Sequence, residues 1–273
     1  MLLLVEMKHL KIGLHQYMEN KMFIEGLVAV IIPLYNCKNY VTEAIESVLE
    51  QNYNNIEIIV VDDCSTDNSF NIVKELSKKN NIIKCYKMEK NSGVAAVRNF
   101  AISKTNAQYI AFLDSDDLWH KNKIEKQLEV FKKSNTPLVF TAINMIDENS
   151  KEIKSKRKIK TVVNYKYLLT HTPICTSSVI IDRKRFPNVQ MPLRKSAEDY
   201  SLWLRVLKNG ISAIGIDEVL VSYRKTSSSL TAKKSKELKY FFNVQVEDFS
   251  ISKVKAAYHT LAYAFHAFIK YFL

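Results

Sequence analysis

At 273 residues, with 47% hydrophobic and 25% charged side chains, the chain can bury a substantial core and is too apolar to be disordered throughout. Its net charge of +12 raises the question of nucleic acid. The excess is spread along the chain, however, and no helix-turn-helix, zinc-finger or aromatic RNA-binding pattern accompanies it, so no nucleic-acid partner is expected. Four scattered cysteines, Cys37, Cys64, Cys85 and Cys175, contain no C-x-x-C pair. They argue against a structural zinc site or a disulfide framework and fit a reducing compartment.

In chain order, the amino terminus "MLLLVEMKHLKIGLHQYMENK" holds a four-residue apolar run broken by Glu6, too short for a signal-peptide core, so export is not expected. Residues 1–26 read as an extension, and residues 1–21, ahead of Met22, as an appendage or the product of an upstream start codon. The first strand-like run is "LVAVII" (27–32), followed by "IEIIVV" (56–61), "IIKCY" (82–86), "YIAFL" (109–113) and "LVFTAI" (138–143). Such short β-branched runs suit buried strands. Between them Val41, Ala44, Ile45, Val48 and Leu49 repeat at helical spacing, as do Val94, Val97 and Ala101, and then Ile124, Leu128 and Phe131. Alternating strand and helix predicts an α/β fold with a mostly parallel, helix-covered sheet over residues 27–230.

Ligands of open α/β sheets gather beyond the carboxyl ends of the strands. Asp62 and Asp63 follow the second run, and Asp114, Asp116 and Asp117 follow the fourth. Like charges crowded together call for a cation or hydrogen-bond donors, although a solvated helix start would also carry them. Pro33 and Tyr35, after the first run, share that edge, where an aromatic ring could stack on a base or simply pack. With five glycines in all and no G-x-G-x-x-G or G-x-x-x-x-G-K-[ST], no glycine cradle for phosphates exists. A hard divalent cation on carboxylates, Mn²⁺ or Mg²⁺, can clamp a diphosphate instead. The D-x-D spacing of Asp114 and Asp116 on an extended segment would aim both side chains the same way.

The basic block "KEIKSKRKIK" (151–160) suits a solvated loop, anionic lipid or a phosphorylated acceptor. Glu198 and Asp199 open the helical pattern "LWLRVL", which fits either compensation of the helix dipole or a base aimed at a cleft. Residues 231–273 form a C-terminal helical segment. Its charge-free stretch, Ala256 to Ile269, is too short to span a bilayer. Phe265, Phe268, Tyr271 and Phe272 suit an interfacial helix at the inner membrane surface, and docking onto the main domain or a second subunit suits it equally.

Five blocks, "VAVIIPLYN", "VVDDCSTDNS", "NSGVAAVRNFAI", "YIAFLDSDDLW" and "EDYSLWLRVL", resemble family 2 glycosyltransferases of GT-A fold in order and spacing, across about residues 27 to 224. The tail is similar to that of bacterial teichuronic-acid and capsule-type members. The resemblance implies an inverting transfer from a nucleotide-sugar, a UDP-sugar, to a hydroxyl of a cell-surface polysaccharide or lipid-linked glycan, in the cytoplasm or at the cytoplasmic face of the membrane. It also assigns residues. Pro33 and Tyr35 would line the base pocket, Asp63 would bond the base, and Asp114 would contact ribose or sugar. Asp116 would ligate the metal, and Arg98 and Arg224 would approach the donor. Asp199 would be the general base, with Glu198 beside it in the cleft. Gly93 would permit a tight helix entry and Asp62 would hold its loop. Thr226 stands where a histidine is common in the family. Two other readings compete: a sugar-nucleotide nucleotidyltransferase, which needs a glycine- and arginine-rich first loop that "PLYNCKNY" lacks, and a non-catalytic glycosyltransferase-like binding subunit, which would tolerate loss of the base or metal ligand.

Overall fold

A computed structural model of the chain describes residues 23–154, 159–225 and 234–272. Thr226 therefore lies outside the described residues, as does the centre of the basic block. Strands β1 (Ile24–Leu34), β2 (Ile56–Asp62), β3 (Ile83–Lys87) and β4 (Ala107–Phe112) build a parallel half-sheet in the order β3-β2-β1-β4. Alternate β1 side chains feed opposite faces, as the period of two requires. Ala29 and Ile31 enter one core, and Val28, Val30, Ile32 and Leu34 enter the other.

Helices α1 (Val41–Leu49), α2 (Ser69–Lys79) and α4 (Lys123–Lys133) cover the second face, burying Val41, Ala44, Ile45, Val48, Val73, Ile124, Leu128 and Phe131. Helix α3 (Val94–Ser103) covers the first. Leu49, expected on the buried stripe of α1, is 38% exposed at the last helical position, just before the Glu50 cap.

Beyond β4 the sheet becomes mixed. The order continues β9 (Ile180–Asp182), β6 (Leu138–Ile146), β10 (Ser212–Arg224) and β5 (Leu118–Trp119), with β7 (Glu152–Lys154) on β6 and β8 (Val162–Asn164) on β10. Strand β9 runs antiparallel to both β4 and β6 and joins the two halves. Helix α5 (Tyr165–Leu168) is a single turn, and α6 (Glu198–Leu207) buries Leu202, Trp203, Leu204, Val206 and Leu207.

The C-terminal segment packs onto the domain. Helix α7 (Lys234–Asn243), a π turn (Val244–Asp248) and α8 (Lys253–Phe272) contribute buried Phe241, Val244 and Ala256. Phe241 stacks between Tyr200 and Tyr263, with ring centroids 4.7 and 4.5 Å apart. Fully buried Gln245 donates to the Leu169 carbonyl and the Tyr200 hydroxyl, both at 3.1 Å, and meets His259 Nδ1 at 2.7 Å. Among the described residues no helix is long and apolar enough to cross a membrane.

Candidate active site

Because β1, β2 and β4 are parallel, their C-terminal ends bring Pro33, Asp62 and the turn bearing Asp114 to one edge. The first two loops are stitched together there. Asn36 Oδ1 accepts from the Thr66 amide, the Cys37 amide donates to Ser69 Oγ, and the Lys38 amide donates to Asp67. Tyr35, 52% exposed, leaves its ring accessible, with Pro33 half-buried behind it.

Asp62 is fully buried and accepts from the Ser65 amide, as a loop-holding carboxylate should. Asp63 is nearly buried, and its two oxygens accept the amides of Ser92 (2.7 Å) and Gly93 (2.8 Å). It thus brackets β2 to the start of α3, where Gly93 takes φ 82°, a value most side chains avoid.

The acidic stretch after β4 is a turn, not the extended segment its spacing suggested: the Asp117 amide donates to the Asp114 carbonyl at 3.1 Å. The reason is Asp117, fully buried, whose carboxylate accepts from Ser177 Oγ (2.5 Å) and the Arg224 amide (2.9 Å) and pulls the chain inward. Burial first, then the charges of Asp114 and Asp116, push its carboxyl well above the usual range. Asp116 is pushed up to about 6 by burial and by the negative Asp114.

Arg98, 4% exposed, bridges the acidic turn after β4 and the start of α6. One guanidinium nitrogen donates to Asp114 at 2.6 Å and the other to Glu198 at 2.8 Å. Burial opposes its charge, but Asp114, Glu198 and Asp199 outweigh that and drive its pKa up. Glu198 is pushed up to about 7 by burial and by neighbouring Asp199, with Arg98 only partly offsetting them. The two directions conflict only if each pair is taken alone. One cation faces three carboxylates, so Arg98 stays charged and Glu198 is the group that yields.

Asp199 is half-buried at the first turn of α6, behind Ala197, which takes a left-handed conformation at φ 61°. Thr176 Oγ1 donates to Asp199 Oδ2 at 2.6 Å. Thr176 belongs to the short helical turn Thr176–Ser178, which is pinned by Trp119 Nε1 on the Ser177 carbonyl and Gln127 Nε2 on the Ser178 carbonyl. Lys123, fully buried, sits 3.8 Å above the Trp119 ring and donates to Gln127.

Arg224 is 1% exposed, and its guanidinium is occupied within the protein. It donates to the Asp116 carbonyl (2.8 Å), the Asp147 carbonyl (3.2 Å), Ser150 Oγ (2.9 Å) and Glu43 (2.9 Å). This anchors the acidic turn to the Asp147–Ser150 loop, a role its sequence position did not suggest. Sequence spacing assigns no part to Glu43, Thr176 or Ser177, and it offers Asp117 only as a member of the acidic cluster, with no role of its own. Their only trace in the sequence is the third aspartate and the hydroxyl-rich run "CTSS".

The chain matches the glycosyl transferase family 2 over residues 29–186. It is 35% identical over 241 residues to TuaG of Bacillus subtilis (strain 168), a glycosyltransferase named for teichuronic acid biosynthesis, covering 88% of this chain and 96% of that one. It is 38% identical over 212 residues to WfaP of Escherichia coli, a UDP-Glc:alpha-D-GlcNAc-diphosphoundecaprenol beta-1,3-glucosyltransferase, covering 78% and 82%. Among solved structures, the mannosyltransferase PcManGT of Pyrobaculum calidifontis, in complex with GDP-Man and Mn²⁺, shares the fold at TM-score 0.65 and 17% identity over 86% of this chain and 69% of that one. A parallel half-sheet with carboxylates at its edge, a family match over more than half the chain and a relative aligned almost end to end agree: the chain belongs to glycosyl transferase family 2 and is a glycosyltransferase of GT-A architecture.

Proposed function

We propose that this glycosyltransferase moves a sugar, with inversion at the anomeric carbon, from a UDP-sugar to a hydroxyl of a lipid-linked cell-envelope glycan at the cytoplasmic face of a membrane. The observation that carries the reading is the Arg98 bridge, which holds Asp114, just after β4, and Glu198, at the start of α6 next to Asp199, on one guanidinium. A donor gripped at the sheet edge and an acceptor at α6 would then meet across it. WfaP, named for a UDP-glucose donor and a diphosphoundecaprenol acceptor, supports the substrate classes. Asp199, fixed by Thr176, would accept the proton of the attacking hydroxyl. The base pocket would use the Tyr35 ring, Pro33 and the rigid Asp63 bracket.

Asp116, with Asp114 beside it, would hold Mn²⁺ or Mg²⁺. The chemistry fits: both groups are hard oxygen donors, and the rise of Asp116 to about 6 marks negative charge the site does not balance. Among the described residues no group of three or more His, Cys, Asp or Glu could hold an ion. An ion at Asp116 would need its remaining oxygen ligands from the donor phosphates. When bound, the ion would stabilise charge on the departing diphosphate.

Transfer from UDP-glucose and UDP-N-acetylglucosamine to a lipid-diphosphate-linked sugar, with the product's anomeric configuration read by NMR, tests the proposal. Asp199→Asn keeps shape and hydrogen bonding but cannot take a proton, so turnover should fall roughly 10² to 10⁴-fold with donor affinity nearly unchanged. Near-normal turnover would remove Asp199 as base, and a retained anomeric configuration would overturn inversion.

A further inference from the structure

Helix α8 has two opposed faces. Ala256, His259, Tyr263 and His266 point into the domain: Ala256 is fully buried, Tyr263 stacks on Phe241, and the His266 ring lies 4.0 Å from that of His171. On the other side Val254, Tyr258, Leu261 and Phe265 are 82%, 69%, 72% and 62% exposed. Their four-three-four spacing places them in one narrow stripe. Such a contiguous row of large apolar side chains marks an interaction surface.

The charges around the stripe identify its partner. Between Lys253 and Phe272 the helix holds three lysines, Lys253, Lys255 and Lys270, and no carboxylate. Lys253 and Lys255 are exposed and flank Val254. Two copies of this helix packed together would bring ammonium groups together with no acid to pair them. Anionic headgroups would pair the exposed Lys253 and Lys255, while the apolar stripe entered the acyl boundary.

We infer that α8 lies along an anionic lipid surface through Val254, Tyr258, Leu261 and Phe265, and that this holds the base-bearing helix at a fixed height above the membrane. The mechanical link is the stack Tyr263–Phe241–Tyr200, because Tyr200 directly follows Asp199 on α6. The benefit for a lipid-linked acceptor rests on the function proposed above; lipid binding itself does not.

The test sediments the full chain with vesicles of phosphatidylcholine alone and with added phosphatidylglycerol. Wild type should co-sediment with the anionic vesicles and hardly with the neutral ones. A double variant, Leu261→Glu with Phe265→Glu, should bind at least about tenfold more weakly, since each side chain removed from lipid costs a decade or more in partitioning. Both positions are exposed, so melting temperature and transfer to a soluble acceptor mimic should stay at wild-type levels. A second variant, Lys253→Glu with Lys255→Glu, should weaken binding to anionic vesicles and flatten its salt dependence. Wild type that ignores anionic vesicles, or an apolar variant that binds them normally, overturns the inference. So does light scattering that shows a wild-type dimer turned monomer by Leu261→Glu and Phe265→Glu with vesicle binding intact, which would assign the stripe to a second copy. Vesicle binding without transfer to any lipid-linked sugar would refute the acceptor reading and leave the lipid surface standing.

Discussion

Replacing Glu198 with Gln should make the protein more stable at alkaline pH. The amide keeps the acceptor that Arg98 needs, and it removes the charge that burial and Asp199 oppose. In the folded chain Glu198 titrates at about 7, against an ordinary value of 4.5. Its carboxyl therefore binds a proton more tightly folded than unfolded. The resulting stability is fully present below pH 4.5 and is lost as pH rises through about 7. The interval corresponds to about 3 kcal/mol, and at 8% side-chain exposure solvent does little to screen it. Near pH 5 the variant and wild type should differ by no more than about 1 kcal/mol. At pH 8 the variant should be ahead by up to ~3 kcal/mol, or roughly 6 to 12 °C in a chain of this size. Asp116 and Asp117 are also raised, but both proteins carry them, so they drop out of the difference. Urea unfolding and thermal melts of chelator-treated protein from pH 5 to 8 provide the measurement. Parallel curves would show that Glu198 titrates alike in the folded and unfolded chain, and a variant less stable at pH 8 would show that Glu198 is a net stabilising partner of Arg98; either result refutes the charge count.

Thr176→Val, which removes the donor to Asp199 while keeping shape, should lower kcat about tenfold and leave the donor KM unchanged, and Thr176→Ser should restore it. If donor KM moves with kcat, or Ser fails to rescue, Thr176 serves the fold and not the base. Asp116→Ala should abolish the Mn²⁺-dependent part of UDP binding in calorimetric titration without lowering the melting temperature; metal-dependent affinity that survives would exclude it as the ligand.

The sequence was legible where one physical rule acted alone. Strands β1, β2, β4 and β6 are largely continuous apolar runs because helices cover both sheet faces, and that signature is local, whereas β3, at the sheet edge, buries only Ile83. Strand β10 escaped notice because its register shifts around Val219 and its exposed Asp217 and Glu218 break any simple period. Strand β9 is three residues long, and α2 buries only Ser69 and Val73, too few to show a stripe. At the site, the carboxylates could be placed from the strand ends, since parallel strands finish at one edge. What each side chain bonds could not be. Arg98 reaches Glu198 across 100 residues and Arg224 reaches Glu43 across 181, and no spacing rule carries that information.

The acidic turn after β4 now resolves into three different tasks. Asp117 is consumed internally by Ser177 and the Arg224 amide, and Asp114 is held by Arg98. Asp116 differs from both: among the described residues no cation forms a salt bridge with it, although Arg224 bonds its carbonyl 2.8 Å away and would have been the nearest candidate. That guanidinium is instead turned to Glu43 and the Asp147–Ser150 loop. A protein needing only to neutralise Asp116 had the charge at hand and directed it elsewhere, at the cost of a carboxyl raised to about 6. A cation that arrives with the donor would remove that cost only in the donor complex. The same reasoning separates the two arginines. Arg98 links Asp114 to Glu198, whereas Arg224 fixes the backbone from which Asp116 projects, so losing Arg224 should misplace the proposed metal ligand Asp116, and losing Arg98 should loosen the start of α6 that carries the proposed base Asp199.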